Sequence, residues 1–71
     1  MQIFINEVNQ RTLVAYYGNS RCLIHFASKA RKTISGATDR PTSDKTYAAI
    51  IEACREYLDA PVTFAKAVSN G

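Results

Sequence analysis

Of the residues that do chemistry in proteins, this chain of 71 residues offers one histidine, two cysteines and six acids. His25 lies inside the segment RCLIHFA, whose alternation is that of a strand, and no serine, cysteine or carboxylate is spaced to work with it. It reads as a surface or interface histidine. The acids Glu7, Asp39, Asp44, Glu52, Glu56 and Asp59 are accounted for by turns, a helix start and a solvated helix face. Cys22 and Cys54 are too few and too far apart for a metal motif. They read as small buried hydrophobes, with a disulfide between them as the rival. The three glycines are isolated, so there is no phosphate-cradling loop. The expectation is therefore a chain that is not an enzyme, with no catalytic residues, no metal and no cofactor.

Contact chemistry is better represented. Phe4, Tyr16 and His25 are flat rings on predicted neighbouring strands, with Arg21 beside them. Sheets that take single-stranded nucleic acid stack bases on such rings and hold phosphates with flanking cations. The competing reading is cover by another protein or a second copy, since exposed apolar patches mark interfaces. Lys29, Arg31, Lys32 and Arg40 cluster in a segment with one acid, Asp39. Such a loop follows a phosphate backbone, docks on an acidic protein surface, or only keeps the chain in solution. The formal charge of +3 is mildly basic, far from the dense field of a DNA-coating protein.

These residues need a scaffold, and the clearest element is a helix over residues 43–58, SDKTYAAIIEACREYL. Tyr47, Ile50, Ile51, Cys54 and Leu58 fall on one helical stripe, with Lys45, Thr46, Glu52, Arg55 and Glu56 turned away. Thr42 or Ser43 caps its start and Asp44 suits the dipole; Pro61 ends it by driving Ala60 out of the α region. Strands are expected over residues 2–6, 11–17 and 21–27, and a last one over 62–67 with Val62 and Phe64 inward. Gly18-Asn19 suits a type II′ hairpin turn, which places Tyr17 opposite Ser20, Ala15 opposite Cys22 and Leu13 opposite Ile24.

In that register Leu13, Ala15, Tyr17, Cys22, Ile24 and Phe26, with Ile3 and Ile5, face the helix. Phe4, Thr12, Val14, Tyr16, Arg21, Leu23 and His25 face away, on a surface too apolar to meet only water. Residues 28–41 make a long connection in which Thr33 and Ile34 either extend the third strand or pack under the loop, and Gly36 bends. The tail VSNG is expected to fray. The result is one domain over residues 1–71, α+β in class. Its order is β-β-β-α-β, an antiparallel meander sheet with one amphipathic helix on one face. A last strand beside the first is expected to run parallel to it, because a helix spans the crossover.

QIFIN, two further strands, TSDKTYAAIIEA on a helix and VTFAKAVSN on a strand resemble the first half of a ribonuclease H-type domain. In that family a strand meander leads into a helix that opens with Thr-Ser or Thr-Asn. The resemblance sets the family's metal-binding Asp at Asn6, its helix Glu at Ala48 and its post-helix Asp near Ala65 or Lys66. It implies a truncated, catalytically dead scaffold kept for binding, since two-metal hydrolysis has no ligands here. In topology alone the chain also resembles the arm-binding domain of phage-type integrases, which inserts a three-stranded sheet into a DNA groove.

No signal-peptide pattern and no bilayer-length apolar run is visible, which points to a reduced, cytoplasmic chain with no membrane partner. The start at Met1 reads as a complete small gene product. The functional expectation is a small binding module that docks on nucleic acid or a nucleoprotein complex through Phe4, Tyr16, Arg21, His25, Lys29, Arg31, Lys32 and Arg40. The alternatives are an inhibitor or adaptor of the small phage type directed at a host protein, and an obligate homodimer.

Overall fold

Alternating apolar residues at the start of the chain build three antiparallel strands, β1 (Gln2–Asn9), β2 (Thr12–Tyr17) and β3 (Ser20–Phe26). The structure, a computed structural model, describes residues 2–27, 33–60 and 65–67. A fourth strand, β4 (Ile34–Thr38), precedes the helix α1 (Asp44–Asp59), and a short strand, β5 (Ala65–Ala67), follows it. The strands form one antiparallel sheet in the order β4-β3-β2-β1-β5, with the helix on one face. This is the expected α+β architecture with one strand more. The inward placement expected of Val62 and Phe64, and the tail from residue 68, lie outside the described residues.

The β2–β3 hairpin closes as its turn chemistry demands. Gly18 has φ +58, and Tyr17 pairs with Ser20, Ala15 with Cys22 and Leu13 with Ile24. That register turns Leu13, Ala15, Cys22, Ile24 and Phe26 to the helix side, where all are buried with Ile3 and Ile5. β1 runs on to Asn9 rather than stopping at Asn6. Glu7 still pairs with Leu13, Val8 is the extra residue of a bulge, and the Asn9 side chain accepts from the Arg11 N–H at 2.8 Å to close the turn.

The helix begins and ends on its local signals. Ser43 is the N-cap and its Oγ accepts from the Thr46 N–H at 3.3 Å. Ala60, before Pro61, leaves the helix with φ −139 and ψ 75. Its buried stripe is Ile50, Ala53, Cys54, Tyr57 and Leu58, so it is rotated from the expected one. Tyr47 and Ile51 sit half-buried at the rim, while Ala53 and Tyr57 take the centre. The Tyr57 Oη–H donates to Glu7 Oε1 at 2.9 Å, tying the last helical turns to β1. A tyrosine buries there because its hydroxyl has a carboxylate to reach. Both cysteines are free thiols in this core. Burial and the neighbouring Cys22 push the Cys54 thiol up to about 12.

The last strand corrects an expectation. β5 lies beside β1 but antiparallel to it, with Ile3 opposite Lys66. β4 is the reason. It reverses the chain once more before the helix, so the crossover starts from a strand running opposite to β1. β4 and β5 run in the same direction at the two edges of the sheet, as a helical crossover requires, and α1 spans the strands between them.

Candidate nucleic-acid interface

The face of the sheet opposite α1 carries alternate residues of every strand, and among the described residues no element covers it. Pairing lines these residues up in rows. Ala65, Phe4, Tyr16 and Arg21 form one row across four strands, Asn6, Val14, Leu23 and Thr38 the next, and Thr12, His25 and Gly36 the third. Phe4 is 46% exposed and Tyr16 is 42% exposed, as directly opposed neighbours. Val14 is only 6% exposed, so with its partner Leu23 it makes an apolar centre to the middle row, between Asn6 and Thr38.

Arg21 closes the first row. Its Nε lies 4.0 Å from Asp39 Oδ2, and both side chains are more than half exposed. An ion pair so wet contributes little and exchanges readily for another anion. Asp39 has φ 57, a left-handed conformation that aspartate tolerates better than most residues, and it turns the chain off β4. Tyr16, Gly18, Asn19, Arg21 and Asp39 line an open depression of about 550 Å³ at the hairpin end of the row.

His25 sits four residues along β3 from Arg21, about 13 Å at strand rise. It therefore belongs to the far row and not to the ring pair. Its Nε2 lies 2.7 Å from Thr38 Oγ1 and its Nδ1 3.3 Å from Thr12 Oγ1. Composition carries no sign of this trio, because Thr38 comes from β4, whose residues ISGAT have little strand preference of their own.

The basic segment divides. Arg40 lies with the helix, its Cζ 4.3 Å from the centroid of the Tyr47 ring in a cation–π contact. Lys29, Arg31 and Lys32 lie outside the described residues. Charge is unevenly shared between the layers. Asp44, Glu52, Glu56 and Asp59, four of the six acids, are on α1, and Glu56 accepts from Lys66 of β5. No outward-facing strand position among the described residues holds a carboxylate, and Glu7 points to the helix side.

No group of three or more His, Cys, Asp or Glu side chains among the described residues is placed to hold a metal ion. No described helix is long and apolar enough to cross a membrane. No family model, curated protein or solved structure matches the chain.

Proposed function

We propose that this chain is a small, non-enzymatic binding module that takes single-stranded nucleic acid, free or within a nucleoprotein complex, on the outer face of its sheet. The observation that carries the reading is the Phe4–Tyr16–Arg21 row: two exposed rings directly opposed on adjacent strands, with a guanidinium next in line. Unpaired bases stack on such rings whatever their identity, and the guanidinium holds a phosphate. The acids gathered on the helix leave the sheet as the side that a polyanion approaches.

The test is a fluorescence titration with labelled single- and double-stranded DNA and RNA at low and high salt, with mass followed by light scattering. Single strands are expected to bind ahead of duplex, with affinity falling as salt rises. Tyr16→Ala should weaken binding about 5- to 150-fold, from about 1–3 kcal/mol per stacked base. Absence of binding to every probe at low salt overturns the reading.

A second reading rests on the apolar pair in the middle of the same face, where Val14 and Leu23 are directly opposed. There the occupant is a protein: a host component that the chain inhibits or adapts, or a second copy of the chain. A shallow salt dependence and loss of complex on Tyr16→Ala mark a protein target, and a concentration-dependent mass marks the homodimer.

A further inference from the structure

We infer that Thr12, His25 and Thr38 form a second, proton-linked subsite on the outer sheet face, which holds a phosphodiester oxygen of the strand whose bases lie on Phe4 and Tyr16. The inference rests on the nucleic-acid reading above and concerns the opposite end of the same face. Both ring nitrogens of His25 are engaged by hydroxyls, Nε2 by Thr38 at 2.7 Å and Nδ1 by Thr12 at 3.3 Å. A neutral imidazole has one N–H and one lone pair. One threonine therefore accepts from the ring and keeps its own O–H proton for another partner, while the other spends its proton on the ring lone pair.

Taking up a proton from solvent reverses the second of these bonds. An imidazolium donates from both nitrogens, so both hydroxyl oxygens become acceptors toward the ring. The threonine proton that had been spent on the ring lone pair is released, so both hydroxyls can now donate elsewhere. The face gains a positive charge and a second outward donor in one step, which is the chemistry that grips a phosphate oxygen. Thr38 is exposed and His25 and Thr12 are half-buried, so the trio is open to a ligand. In register, β2 sets Thr12 opposite His25 and β4 sets Gly36 opposite it with Thr38 two residues on; the Ser35 Oγ–H donates to the His25 carbonyl at 3.2 Å, and Arg11, next to Thr12, is the adjoining charge on the β2 side. The nearest charge on its own strand is Arg21, four residues away. The helix lies on the other face.

The experiment follows binding of a labelled oligothymidylate of about 12 nucleotides, within the site sizes of such platforms, against salt at about pH 5.5 and about pH 8, where histidine changes charge. Thymine has no group that titrates in this range. For the wild-type chain the plot of log affinity against log salt should be steeper at the lower pH by about 0.7, the increment for one more phosphate neutralised on a single strand. His25→Gln should give the same slope at both pH values. Thr38→Val should blunt the tightening and Thr38→Ser, which restores the hydroxyl, should recover it. Thermal melts at both pH values confirm that each variant is folded. Equal slopes for the wild type, or an unchanged pH effect in His25→Gln, overturn the subsite and leave the ring row standing. Failure to bind at either pH overturns the outer-face reading and the subsite together.

Discussion

Ile50→Ala tests whether α1 is seated on the sheet in the rotation described, and so which sheet face is left open. Ile50 has no exposed surface and packs in the cluster formed with the inward residues of β1, β2 and β3. Truncation to alanine at such a site costs about 2–5 kcal/mol, the lost burial plus the cavity left behind. A chain of 71 residues has a total stability of about 4–11 kcal/mol at typical values per residue. The substitution therefore removes a large share of it, and the melting temperature should fall by at least about 10 °C. Ile51 is the same residue type one position on, but half-buried at the helix rim beside Tyr47. Ile51→Ala should cost about half as much or less, in proportion to the area it hides. Urea unfolding followed by circular dichroism reads both, with an unchanged m value showing that the unfolded state is comparable. A loss for Ile51→Ala equal to or above that for Ile50→Ala would refute the helix phase, and with it the assignment of the inner face.

Tyr57→Phe removes the donor to Glu7 and leaves the ring, so chemical denaturation should show a loss of about 1 kcal/mol; no change would mean that the 2.9 Å bond does not hold the helix to β1. Cys54 supplies a pH dependence. Its thiol is pushed up to about 12 when folded, against an ordinary value of about 8.5 in the unfolded chain. Above about 8.5 the unfolded state sheds a proton that the folded state keeps, so this contribution is fully present at neutral pH and is lost as pH rises toward 12. Denaturation midpoints should fall between about pH 8 and pH 10, less steeply in Cys54→Ala; the burial-raised Cys22 and Tyr17 act in the same direction, so part of the slope should remain. Gly18→Ala should cost about 1–2 kcal/mol through backbone strain alone, because φ is +58 and an added Cβ meets nothing within 4 Å. A neutral result there would show that the turn relaxes to another type.

Features written in neighbouring residues were legible without a structure. The Gly18-Asn19 turn and the alternation on either side of it determined the β2–β3 register, and with the register which side chains face the helix. Ser43 and Pro61 determined where α1 starts and stops, since capping and the residue before proline are local effects. The Phe4, Tyr16 and Arg21 face followed from the same alternation. Tertiary structure decided the rest. Ile34–Thr38 contains serine, glycine, alanine and threonine and has little strand preference of its own; it becomes a strand because the β3 edge offers hydrogen-bonding partners. That extra reversal set β5 antiparallel to β1 and brought Thr38 to His25. The stripe of α1 turned from Tyr47 and Ile51 toward Ala53 and Tyr57 because the position of the sheet, and of Glu7 upon it, fixes helix rotation. Spacing along a helix says which residues share a side. It does not say which of two adjoining sides the sheet will take.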